Sequence, residues 1–125
     1  MIVTKEILRE YFRKYNELYF DGILKMPSIL FMSGHNGQVG KFRHQKKDGK
    51  VMNPKIYINK SIRWTEEDII DVMIHEMIHY YVVFILGYDG IFSHGLRFRR
   101  KRKEITKRGQ CIHMRYNHLK YRSEV

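Results

Sequence analysis

Apolar side chains at Ile7, Leu8, Tyr11, Phe12, Tyr15, Leu18 and Tyr19 recur three and four residues apart. That spacing marks one face of a helix, and Thr4 stands where its N-cap would be. Asp21-Gly22 ends the segment. Beyond Pro27, the run Ser28-Ile29-Leu30-Phe31-Met32 predicts a strand, and Gly34 to Gly37 a turn. Gln38 to Gln45 predicts a second strand, in which Gly40 signals a bulge or a close backbone approach. Lys47-Asp48-Gly49-Lys50 has hairpin chemistry and leads to a third strand, Val51 to Asn59. Its Pro54 places that strand at an edge or delays its start until after the proline. Thr65-Glu66-Glu67-Asp68 opens a second helix, with acids in its first turn, that runs to Leu86 before Gly87. A loop, Tyr88-Asp89-Gly90-Ile91-Phe92, precedes a third helix from Leu96 to Arg108, stopped by Gly109. Cys111 to Tyr121 fits a strand or an irregular segment equally well. Strands grouped between helices predict an α+β fold, with a roughly three-stranded sheet packed on the helices.

The chain's 125 residues suit one domain spanning 1–125, with a core over about 4–110 and a basic segment over 97–125. Hydrophobic residues at 43% and aromatics at 14% are enough to build a packed interior. Cys111 stands alone, which excludes an internal disulfide framework and a cysteine-rich zinc ribbon. No leader pattern opens the chain, and its longest uncharged stretch, Met77 to Tyr88, is too short to span a bilayer, so a cytoplasmic setting is expected. Charge is uneven. From Arg97 onward there are eleven Lys/Arg against Glu104 and Glu124, a net +9 of the chain's +11. Such a local excess is an electrostatic footprint for an anionic partner.

The chemistry concentrates in His75-Glu76-Met77-Ile78-His79, which lies inside the apolar second helix. Residues four apart lie one turn above each other, so both imidazoles face the same way and can share one metal ion, with Glu76 beside them. H-E-x-x-H on a helix is the pattern of zinc peptidases, in which the glutamate acts as general base. A catalytic zinc takes three protein ligands and keeps one position open. The third ligand is not given by the helix, because Val82 and Ile85 stand where one extended version of the motif has Gly and His. Glu104 and Asp89 are conceivable. His94 is better placed, after a loop long enough to fold back and beside Gly95, which permits a close backbone approach. With these ligands, zinc would acidify a water, and Glu76 would take its proton and pass it to the leaving amine.

His94-Gly95-Leu96-Arg97-Phe98 following the H-E-x-x-H helix resembles the paired H-E-x-x-H and H-G-x-x-F motifs of the SprT-like metalloprotease family, which includes the Spartan proteases. Asn16 to Leu24, Gly40 and Ile56-Tyr57-Ile58-Asn59 are similar to that family's first-helix ending and pre-active-site strand, and the likeness covers roughly residues 4–110. The resemblance implies a small zincin-like domain with His75, His79 and His94 as zinc ligands and Glu76 as the catalytic base. It also implies protein substrates associated with DNA.

Arg97, Arg99, Arg100, Lys101, Arg102 and Lys103 fall within seven residues, with Phe98 and Ile105 turned inward. They suit sequence-independent binding to phosphates, with Tyr116 and Tyr121 available for stacking. The competing reading is a nucleic-acid-binding protein with a structural or silent zinc site, which His113 would close as a fourth ligand.

Overall fold

The computed structural model describes residues 1–88, 90 and 93–122. Its elements are α1 (Lys5–Tyr19), β1 (Ser28–Met32), β2 (Gly40–Lys47), β3 (Lys50–Asn59), α2 (Glu66–Phe84) and α3 (Leu96–Lys107). This is the α+β architecture expected, an N-terminal helix, a three-stranded mixed sheet and two further helices.

Thr4 caps α1 by accepting the Ile7 N–H at 3.1 Å. The buried stripe of α1 is Leu8, Phe12 and Tyr15, and Leu18, expected on that face, is rotated off it and exposed. Asn16 fills the adjoining buried position instead. Its side-chain amide donates to the Leu24 carbonyl at 2.8 Å and accepts the Leu24 N–H at 3.1 Å. That pair folds the chain back after the left-handed turn at Asp21 and Gly22.

The strand order is β1-β3-β2, with β1 parallel and β2 antiparallel to β3. Asp48 and Gly49 both have positive φ, as a two-residue hairpin joining right-twisted strands requires. Pro54 therefore lies in the central strand, and the edge assignment is corrected. β1 pairs only from Lys55 onward, and the β2 register shifts between Arg43 and Gln45, opposite this stretch. The missing N–H of Pro54 thus falls where both ladders are already interrupted. Consequently β2 is an edge strand.

α2 is the hub. Thr65 caps it by accepting the Asp68 N–H at 3.1 Å. Buried residues occur on nearly all its sides, and it packs against α1, α3, β2 and β3. It ends at Phe84, two residues earlier than expected, where the Ile85 and Leu86 N–H groups both turn back to the Tyr81 carbonyl. Residues 111–122 form a strap across the molecule, with a single antiparallel bridge, Ile62 to Tyr121. The Arg63 N–H bonds to the Lys120 carbonyl, and the Arg122 N–H to the Ser61 carbonyl. Among the described residues, no helix is long and apolar enough to cross a membrane.

Candidate metal centre

His75 and His79 project from one face of α2, and the turn entering α3 brings His94 onto them. The Nε2 of His94 lies 3.0 Å from that of His75 and 3.1 Å from that of His79. A single imidazole N–H cannot serve both neighbours. The His75 Nδ1 stands 2.9 Å from the His113 carbonyl, so it must carry the ring hydrogen, and its Nε2 is a bare lone pair. Tetrahedral zinc with bonds of roughly 2.0–2.1 Å needs nitrogens about 3.3–3.4 Å apart. His94 is within a few tenths of an ångström of that spacing from each of the other two, and all three nitrogens lie within 4.8 Å of one another. Among the described residues, His75, His79 and His94 form a group that can hold a metal ion.

Burial is the main reason that all three imidazoles are held neutral. It lowers His75 to about 4, against a smaller opposing pull from the His113 carbonyl. It lowers His79 to about 3, helped by His75 and His94. His94 is also lowered by burial, with Arg115 and Arg99 adding repulsion. Neutral imidazole is the ligand form.

Glu76 is buried between these imidazoles and the sheet. Burial pushes its carboxyl up to about 8, while Arg43 pulls weakly the other way. Gly40, at the start of β2, explains how the carboxyl fits there. A Cβ on Gly40 would stand 3.1 Å from Oε2 of Glu76, 2.9 Å from Cγ1 of Val72 and 3.3 Å from the Tyr57 carbonyl. The expected close backbone approach is therefore at Gly40, and the bulge is further along, near His44. A cleft of about 560 Å³ opens over His75, Glu76, His79 and His94, with residues 37–44 along one side and Met114 to Asn117 on the other.

Sequence reasoning missed the support behind the three histidines. Asp71, one turn before His75 and buried, accepts the backbone N–H of His113 at 3.0 Å and the Tyr116 hydroxyl at 2.6 Å. It also bonds Nδ1 of the His113 ring. Burial, reinforced by Asp71, pushes the Tyr116 hydroxyl far above its ordinary range. The available signal was a lone acid in the otherwise apolar run Ile69-Ile70-Asp71-Val72-Met73-Ile74.

Residues 8–118 match the sequence profile of the SprT-like family. The chain belongs to the SprT-like family. No individual curated protein matches it.

This SprT-like domain disposes of the alternative ligands. His113, expected as a possible fourth ligand, turns its ring to Asp71 and offers the centre only its carbonyl. Glu104 bonds the Lys101 ammonium at 3.2 Å. Asp89 lies outside the described residues.

The six expected phosphate contacts are sorted by α3. Lys101 is a correction. It is 8% exposed, and its ammonium lies 5.1 Å from the centre of the Phe20 ring and 4.9 Å from that of Tyr81. It shares the inward stripe of Phe98 and Ile105, where helical periodicity puts it. Arg97 stacks on Tyr88 at 4.2 Å, and Arg100 points outward. Arg99, Arg102 and Lys103 line a second cavity of about 620 Å³ that reaches His94, together with Lys107 and Arg115.

Proposed function

We propose that this SprT-like domain is a zinc-dependent endopeptidase acting on proteins associated with DNA. The observation that carries the reading is the convergence of three neutral imidazole nitrogens beside a buried carboxyl, at the floor of an open cleft. His75, His79 and His94 would hold the metal, and a borderline-soft cation such as zinc suits three nitrogen donors. Bound there, zinc would supply the positive charge that polarises a scissile carbonyl and acidifies a nearby water.

The remaining work falls to the chain itself. With a bound cation's charge favouring its ionised form, Glu76 would accept the proton of the attacking water on a carboxylate oxygen and deliver it to the departing amine. Its position beneath Gly40 aims it into the cleft. Edge strand β2 offers backbone donors and acceptors along that cleft, so a substrate segment can add to the sheet in extended form. Extended binding exposes both sides of one peptide bond to the ligands and to Glu76.

The DNA setting rests on charge. Arg99, Lys103, Lys107 and Arg115 face one cavity beside His94, and Arg100 adds to the outer surface. Phosphate binding there is sequence-independent and weakens steeply with salt. A cytoplasmic location fits the same reading. The alternative, a nucleic-acid binder with a silent zinc site, is disfavoured by the engagement of His113 with Asp71 and by the buried Glu76, which a structural site does not need.

The test is proteolysis of a DNA-binding protein, with and without single-stranded DNA, by wild type and Glu76→Gln of measured zinc content. The Gln variant should retain about one zinc per chain and lose cleavage by about 100-fold or more. Full cleavage by that variant would sink the assignment.

A further inference from the structure

The carbonyl that orients His75 belongs to a segment without regular structure of its own. Residues 111–118 lie outside every helix and strand, and Ile112 is their one buried side chain. Ile112, Met114 and Tyr116 pack the segment against the core, and side-chain hydrogen bonds then fix the His113 carbonyl within it. Asp71 accepts three of them, from the His113 N–H, the His113 ring and the Tyr116 hydroxyl. From the other side Arg102 donates its Nε–H to the Ile112 carbonyl at 2.6 Å. Asp71 is 5% exposed and sits four residues before His75, on the same face of α2. An acid buried on an apolar helix is costly unless it is fully bonded, and here every bond goes to this one segment.

We infer that Asp71 is the positioning residue of the metal centre, acting on His75 through the backbone of His113. The carboxylate anchors residues 113–116, and the His113 carbonyl accepts the Nδ1–H of His75. The His75 Nε2 is thereby held as a lone pair aimed at His79 and His94. The helix thus sets the tautomer and tilt of its own ligand by a loop through the strap. That anchor also holds Met114, Arg115 and Tyr116 as one wall of the cleft, so the metal ligand and the substrate wall share a support. A residue of purely structural role would affect stability and leave the His75 tautomer and the metal affinity unchanged.

The inference rests on the metal-binding part of the proposed function and is independent of peptidase activity. The experiment uses the full chain stripped of metal, with Zn²⁺ as the probe in competition with a chromophoric chelator. Imidazole ¹⁵N signals of the metal-free protein report the tautomer. Asp71→Leu removes both acceptor oxygens, and with them all three bonds, and should weaken zinc binding by roughly 10–100-fold, the usual effect of losing such a support. It should also turn the His75 signals from a single Nδ1–H form into a mixture. Asp71→Asn keeps an oxygen for the His113 N–H and the Tyr116 hydroxyl, and should lose less than about 10-fold. Asp68→Asn, one turn earlier and 3.7 Å from His118, should leave both readouts unchanged. A folded Asp71→Leu variant with wild-type zinc affinity and wild-type His75 signals overturns the inference. Should that variant not fold, Tyr116→Phe removes a single hydroxyl, and wild-type values for both readouts there overturn it equally. A wild-type chain that takes up no zinc refutes the metal reading instead, and the imidazole signals then still decide the positioning role.

Discussion

Replacing Glu76 by Gln should stabilise the metal-free protein while removing its proposed chemistry. In the unfolded chain this carboxyl titrates near its ordinary 4.5, and in the fold burial raises it to about 8. Below pH 4.5 both states are protonated and Glu76 costs nothing. Between 4.5 and 8 the unfolded chain ionises while the folded chain keeps its proton, so the cost grows with pH by about 1.4 kcal/mol per unit. At pH 7 the difference reaches about 3 kcal/mol, and above pH 8 it levels off. Glutamine has nearly the same shape and no charge to desolvate, so it escapes this term. The titration of the buried imidazoles at lower pH is common to both proteins and subtracts. Urea unfolding of the two chelator-treated proteins at pH 5, 6, 7 and 8 measures the gap directly. A Gln variant that is less stable than wild type, or a gap that does not widen from pH 5 to pH 8, would refute the burial argument for Glu76.

The imidazoles give the opposite slope. His75 and His79 are lowered to about 4 and about 3, so folding excludes protons that the unfolded chain binds below 6.5. Chelator-treated Glu76→Gln should therefore lose stability as pH falls from about 6.5 towards 4, by an amount of order a few kcal/mol, seen as a falling urea midpoint. Gly40→Ala pushes a methyl group against Val72, Glu76 and the Tyr57 carbonyl and should cost about 1–3 kcal/mol in thermal or urea unfolding. Asn59→Ala strands the carbonyls of Gly34 and Gln38 and the Ser61 N–H, for a loss of about 2–3 kcal/mol by the same measurement. Lys101→Gln should leave oligonucleotide affinity unchanged, whereas Lys103→Gln should weaken it and reduce its salt slope by about 1, as measured by fluorescence anisotropy.

Much of this architecture is local and therefore visible in the sequence. Thr4 and Thr65 cap their helices because a side-chain oxygen three residues ahead of an N–H can do nothing more favourable. The Asp48-Gly49 turn and the four-residue spacing of His75 and His79 are likewise fixed by backbone geometry within a few residues. His94 was favoured over Glu104 and Asp89 because a loop long enough to fold back precedes it and Gly95 stands beside it. Pro54 misled, since a proline names the lost hydrogen bond but not the strand that would have received it. Only the pairing of β1 from Lys55, with the shift opposite Asn53, shows that the loss falls in a gap.

The tertiary structure alone decided which polar groups meet across distance. Asp71 and His113 are 42 residues apart, and no periodicity connects them. Their pairing exists because a buried carboxylate must find donors, and the strap is what packing brings there. Lys101 reads as one cation among six, and it turns inward because Phe20 and Tyr81 supply aromatic faces that only the folded chain assembles. The sequence by itself determined the helices, the hairpin and the ligand types, since each depends on neighbours along the chain. Which strand lies central, which cations face the cleft and what holds His75 in place depend on burial, and burial is a property of the whole fold.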